Sequence, residues 1–270
     1  MKKIKSLNFK FLVFFGLITF FTACTDDLTV TPKDDDEFSA EAFYADPASY
    51  KQFLAKIYAG LAVTGQNGPA GSADIQGIDE GFGQYLRGLW QLQELPTDEA
   101  MVSWGDPTLP ELNNHTWNAD NRFVKAFYAR VFYQVGVANE FLRETTDAKL
   151  ASRGVSDALK AEIKVYRAEA RFLRALTYWH LIDMFGGGSL VTEDSPSSFY
   201  YPEYATRAEL YKFVDDELTA ITPELKEPKT NEAYRVDKAA AWMLQAKLYM
   251  NSKVYIGTDK YAEALPLINN

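Results

Sequence analysis

A chain of 270 residues with 37 acidic against 28 basic side chains carries a formal net charge of −9. That balance lacks the basic footprint nucleic-acid recognition needs, and a single cysteine, Cys24, excludes an intramolecular disulfide. The length suffices for one large domain or two small ones, and 14% aromatic residues suit a large core, an exposed binding surface, or both.

The first segment has three parts. Lys2, Lys3, Lys5 and Lys10 make a positive start, Phe11 to Phe21 a short apolar run, and Thr22 and Ala23 a small-residue end before Cys24. This is the layout of a signal peptide over residues 1–23, too short for a comfortable membrane span. A lone cysteine directly after the small residues resembles a bacterial lipobox, in which the thiol is acylated and becomes the new N-terminus. Residues 1–23 hold four lysines and no acids, so their removal takes the charge from −9 to −13. Thr25 rather than Asp follows Cys24, which by resemblance to lipoproteins of diderm bacteria sends the protein to the outer membrane. Asp26, Asp27, Asp34, Asp35, Asp36 and Glu37 resemble the export tag of surface-displayed lipoproteins and also read as a solvated tether over 24–45.

From residue 46 to 270 the pattern predicts one helical domain. Asp46-Pro47 reads as a cap with proline at the first helical position, followed by Tyr50, Leu54, Ile57 and Leu61 at helical spacing. An irregular stretch from Thr64 to about Thr116 follows, rich in Gly, Pro and Asp. It carries Trp90, Trp104 and a short helix near Tyr85 to Gln93. A loop this long is functional or disordered, and its aromatics argue against disorder. The next helix starts near Asp120 with Val124, Tyr128, Val131, Val135, Ala138 and Leu142. Another runs from about Asp157 to Phe185 with apolar residues on two faces, and Gly186-Gly187-Gly188 stops it. Thr206 and Glu209 form a capping box for a helix that Pro223 ends. A last pair spans Val236 to about Asn251 and Asp259 to Ile268. There Trp242, Ala246, Tyr249, Ala264 and Ile268 resemble the tetratricopeptide alternation of large and small residues. No alternating strand of useful length is present. The fold class expected is therefore all-α, with tetratricopeptide-like stacked helical pairs and a long irregular insertion that carries aromatics.

Several long motifs point further. The run from Glu169 to His180, ending Asp183-Met184-Phe185-Gly186, resembles the signature helix of the SusD/RagB family. Val63-Thr64-Gly65-Gln66 with Asp79-Glu80-Gly81, then Glu94 through Glu99, and Asp237-Lys238-Ala239-Ala240 through Leu248-Tyr249 agree with it in order. The resemblance implies a surface-exposed lipoprotein that captures glycans for a partner SusC-like TonB-dependent transporter, without catalysis and without a cofactor or metal. It also implies that this chain is the N-terminal half of a longer protein, its last repeat leaving an apolar face unsealed. Of the residues that the starch-binding members place in the first long loop, Arg87 matches the arginine and Trp104 one tryptophan. Val102 stands where another tryptophan falls, and Asp106-Pro107 where an asparagine falls. Arg87, Trp104 and Asp106 are thus the candidate glycan contacts, with starch and another neutral oligosaccharide both open as ligand.

Plainer readings stand beside these. Arg87 suits an ion pair with Glu94 or Asp98, and Trp104 suits packing as well as contact. Trp90, Trp117, Trp179 and Trp242 read as core. Asp98-Glu99 is no glycosidase pair, because adjacent carboxylates do not flank a bond from both sides. His115 and His180 lack an HExxH partner, and His180 reads as packed and hydrogen-bonded. Phe199-Tyr200-Tyr201 is an exposed strip or a loop anchor. The competing functions are a helical scaffold that only docks the transporter, and a surface glycoside hydrolase.

Overall fold

Apolar residues at helical spacing become helices along most of the computed structural model, which describes residues 39–65 and 73–269. The chain divides into two units, Met1–Ala45 and Asp46–Asn270. In the first, α1 (Ala40–Phe43) is one turn capped by the Ser39 hydroxyl, which accepts from the Ala42 amide. The expected leader over residues 1–23, Cys24 and the tether to residue 38 lie outside the described residues. The second unit holds α2 (Ser49–Ala59), α3 (Tyr85–Glu94), α4 (Pro110–Asn114), α5 (Arg122–Glu144), α6 (Asp147–Ser152) and α7 (Asp157–Phe185). After them come α8 (Arg207–Ile221), α9 (Lys238–Met250), α10 (Ser252–Ile256) and α11 (Tyr261–Asn269). Between α7 and α8, β1 (Gly188–Ser189) pairs antiparallel with β2 (Tyr204–Ala205), Gly188 opposite Ala205. The fold is all-α.

Its order is that of a stack. α7 packs between α5 and α8, α8 also packs on α9, and α9 on α11, while α2 lies against α5 and α7 and α3 lies against α5. The two apolar rows of α7 explain its central place. Ile163, Tyr166, Ala170, Leu173 and Thr177 are buried in one row, and Phe172, Ala175 and Ile182 in the other. Ser156 caps the start of α7 through the Leu159 amide. Gly186 ends it at φ +77, in the left-handed region, where its amide bonds the Ile182 carbonyl. On α8 the Thr206–Glu209 capping box forms in both directions, and Leu210, Val214, Leu218 and Ile221 are fully buried. α3 approaches α5 closely at Gly88, where an added Cβ would meet the Phe127 ring at 3.0 Å.

Three expectations need correction. α2 starts at Ser49, not at Pro47, because the Asp46 carboxylate accepts from the Ala48 amide and holds a turn ahead of the helix. Trp90 and Trp117 are not core: they are 47% and 42% exposed. α3 buries Tyr85, Gly88 and Gln91, which turns Leu86 and Trp90 outward. Trp179 and Trp242 are half-buried.

Buried ions tie the stack to its loops. Arg174, 1% exposed, donates to Asn139 Oδ1 at 2.6 Å and to Glu217 Oε2 at 2.8 Å, and pairs with Glu193. Arg171 grips the same Glu217 through both carboxylate oxygens, at 2.6 and 3.1 Å. One helix turn away, the fully buried Glu169 accepts from Tyr58 Oη at 2.6 Å and from Arg235 at 2.6 and 3.1 Å. That second cluster joins α2, α7 and the segment leading into α9. Burial works against the Glu217 charge, but the hydrogen bonds from Arg171 and Arg174 outweigh it and hold the carboxyl below its ordinary 4.5.

Glu217→Ala leaves two guanidinium groups short of an acceptor and is expected to cost about 3–5 kcal/mol in denaturant unfolding. Because the Glu217 carboxyl titrates lower folded than unfolded, its stabilisation is complete above pH 4.5 and is lost as pH falls below it. The variant should therefore lose less stability than the wild type between pH 5 and pH 3, values taken as about one unit either side of the ordinary carboxylate range.

Candidate functional site

The irregular stretch between α2 and α5 is held by a buried cation on α5. Arg130, 1% exposed, donates to Asp74 Oδ2 at 3.0 Å, to the Thr64 carbonyl at 3.3 Å and to the Gly83 carbonyl. Asp74 also accepts from Lys56 and Tyr133, both at 2.8 Å. Burial opposes its charge, and the bonds from Lys56, Tyr133 and Arg130 overcome this and keep the carboxyl below the usual range. The chain entering α3 is thereby fixed from both sides of the 3₁₀ turn Glu80–Phe82.

That turn presents its carbonyls to α3. Arg87, in the first turn of α3, donates from Nη1 to the Gly81 carbonyl at 2.7 Å. The Gly81 amide is in turn held by Asp79 Oδ1 at 2.9 Å. With one nitrogen anchored, the guanidinium lies over the Trp104 ring at 5.2 Å and over Phe82 at 6.0 Å. Phe82 rests on Phe123 at 4.6 Å and belongs with Leu92, Ala100 and Val102 around a buried cluster of Leu95, Leu109, Leu112 and Phe123. The cluster gives the loop a core of its own. Trp104 is 57% exposed above it.

The structure thus brings together two of the three candidate residues. Asp106 stands two residues beyond Trp104, half-buried, with its backbone carbonyl accepting from the Leu109 amide at 3.1 Å. Its carboxylate makes no hydrogen bond or ion pair among the described residues. Val102, where a tryptophan was absent, packs inward on the cluster. Arg87 forms no ion pair with Glu94 or Asp98 among the described residues; its partners are a carbonyl and two rings. Sequence reasoning missed Phe82 and the Gly81 carbonyl. The Asp79-Glu80-Gly81 stretch was noted, but nothing in it marks a carbonyl aimed at Arg87.

His180 is 8% exposed, its Nδ1 2.8 Å from Tyr85 Oη. Burial, helped by the Lys247 charge, pushes its pKa down to about 4, so the ring is neutral near pH 7. Among the described residues no three His, Cys, Asp or Glu side chains gather as metal ligands, and no helix is long and apolar enough to cross a membrane.

No protein-family model matches the chain. It is 35% identical over 247 residues to the starch-binding protein SusD of Bacteroides thetaiotaomicron, covering 90% of this chain and 41% of that one. The chain thus spans well under half the length of that relative. Among solved structures, it resembles a SusD-like protein of Bacteroides fragilis at TM-score 0.59 and 20% identity, covering 88% of this chain and 41% of the other. It also resembles surface glycan-binding protein A of Bacteroides uniformis at TM-score 0.61 and 21% identity, covering 83% and 45%. These structural likenesses carry the fold.

Trp104 is exposed and Arg87 partly so, and neither makes an ion pair among the described residues, so Arg87→Ala and Trp104→Ala should each lower stability by about 1 kcal/mol or less. Thermal and denaturant unfolding check this. A larger loss would make the pair a structural clamp in place of an open surface.

Proposed function

The chain belongs to the SusD/RagB family, and on that premise we propose that it captures oligosaccharides or polysaccharides on the exposed Arg87–Trp104 surface without transforming them. The observation that carries this reading is the stack itself: an exposed indole with a fixed guanidinium against it. Sugar rings offer apolar C–H faces ringed by hydroxyls. An aromatic face covers the first, and nitrogens not tied to the protein donate to the second. Arg87 spends one bond on Gly81 and keeps further N–H donors for a ligand. Asp106 is the acceptor this reading adds to the pair.

In the same proposal residues 1–23 are a signal peptide, Cys24 is acylated, and the acidic tether over 24–45 joins the anchor to the helical domain of residues 46–270. The protein then stands on the outer membrane facing the cell exterior, beside a SusC-like TonB-dependent transporter that receives the glycan. The relatives, a starch-binding protein and a surface glycan-binding protein, support binding over hydrolysis. The helical-scaffold reading draws on one observation, the outward Val254, Leu265 and Ile268 at 70%, 60% and 54% exposure near the end of the stack.

Native gels cast with soluble starch, laminarin, xylan or galactomannan separate these readings. Retardation by at least one glycan is expected, weakened about tenfold by Trp104→Ala, the size of one aromatic contact. Unchanged mobility in every gel would leave the scaffold, and release of reducing ends would establish a hydrolase. Labelling of growing cells with radioactive palmitate should mark the wild type and fail to mark Cys24→Ala.

A further inference from the structure

A concavity whose walls include neither Arg87 nor Trp104 borders the same insertion. A cavity of about 430 Å³ opens between the end of α3, the chain after α4 and the C-terminal end of α7. Leu92, Val124, Met184, Phe185 and Trp117 line it. Pro96 lines this cavity and also a neighbouring one of about 660 Å³, whose walls include Asp98, Glu99 and His115. The two are neighbours: they share Pro96, and His115 of the second touches both the Pro96 carbonyl and the Trp117 ring.

The Trp117 indole is held in place. His115 ends α4 in the left-handed region at φ 56, its Nε2 lies 2.7 Å from the Pro96 carbonyl, and its ring meets Trp117 edge to face at 5.7 Å. Trp117 nevertheless stays 42% exposed. Asn118, next along, accepts from the Asp120 amide at 2.7 Å, which fixes its carboxamide and leaves the NH₂ without a partner among the described residues. Asp98 and Glu99 make no ion pair among the described residues. An oily ligand would strand these polar groups, and an anionic one would meet two uncompensated carboxylates. A neutral sugar satisfies all of them: its ring face on Trp117, its hydroxyls donating to Asp98 and Glu99 and accepting from Asn118. The volume lies in the range of ordinary ligand sites.

We propose that Trp117, with Asn118, Asp98 and Glu99, forms a second subsite for a neutral glycan, separate from the Arg87–Trp104 surface. The proposal rests on the glycan-binding reading above. It also gives a role to the Asp98-Glu99 pair, which is unfit for hydrolysis but suited to accepting from adjacent hydroxyls.

The intact protein and its Trp104→Ala, Trp117→Ala, Trp117→Phe and double-alanine variants are compared in the polysaccharide gel that retards the wild type, and by calorimetry with the matching hexasaccharide. The expected result is a roughly tenfold loss of retardation in each alanine variant, a greater loss in the double, and a fall from two hexasaccharides bound to one in Trp117→Ala. Trp117→Phe keeps the ring face and should keep both sites, which separates lost contact from lost folding. One hexasaccharide per wild-type chain, with Trp117→Ala unchanged, overturns the second subsite and leaves the first reading standing. Two per chain with loss only in Trp117→Ala upholds the second subsite and removes Arg87–Trp104 as the first. Failure of the wild type to bind any of the four polysaccharides overturns both.

Discussion

The structure depends on satisfying guanidinium groups that have been taken out of water. Arg130 and Arg174 are the largest fully buried side chains, and both sit on long helices whose own carbonyls are already spent. A buried fork of five donors must find acceptors elsewhere, since leaving one charge unpaired in the interior costs several kcal/mol. The acceptors for Arg130, on Thr64, Gly83 and Asp74, all come from non-helical chain; Arg174 takes Glu193 from the loop after β1, with Asn139 and Glu217 from the neighbouring helices α5 and α8. Arg143 does the same at lesser depth, donating to the Glu193, Thr192 and Ser195 carbonyls. Each buried cation thus fixes a loop to a helix, and the irregular segments owe their definite course to charges on the regular ones.

The candidate surface inherits its rigidity from this arrangement. Arg130 holds Gly83 and the strip around Asp74. That fixes the 3₁₀ turn, which offers Gly81 to Arg87, and Arg87 then sets the position of Trp104. The small apolar cluster around Leu95 and Leu109 closes the insertion from beneath. An exposed side chain on a loop is normally mobile and loses entropy when a ligand orders it. One held by a relay of this kind has already paid that cost.

Much of the scaffold was legible because its signals are local. The Thr206–Glu209 box and the Gly186 stop each act within a few residues of the boundary they set, and the rows on α7 repeat long enough to be read. α4 and α6, five and six residues long, contain too few turns for a period to show. Trp90 misled because its apolar neighbours Leu89 and Leu92 resemble a core stripe. The buried side of α3 is instead made by Gly88, which admits Phe127, and by Gln91. For the site, Arg87 and Trp104 could be picked out as residue types by resemblance, but the contact between them joins a helix to a loop seventeen positions on. Nothing in either local sequence encodes that meeting, or the carbonyl of Gly81 that aims the guanidinium.

The guanidinium stands over the Trp104 ring at 5.2 Å, and the indole is still 57% exposed. On the proposed reading, a ligand lies against this indole without being sandwiched by it. Contact from a single side leaves the far edge of each sugar hydrated, so dissociation needs no opening motion and residence is brief. In that reading a long polymer would stay by repeated touching rather than by one tight grip, and any stretch of it could be surrendered without releasing the rest. For a protein whose proposed task is to hand its cargo onward, short dwell at each contact is an advantage, since a tight enclosure would compete with delivery.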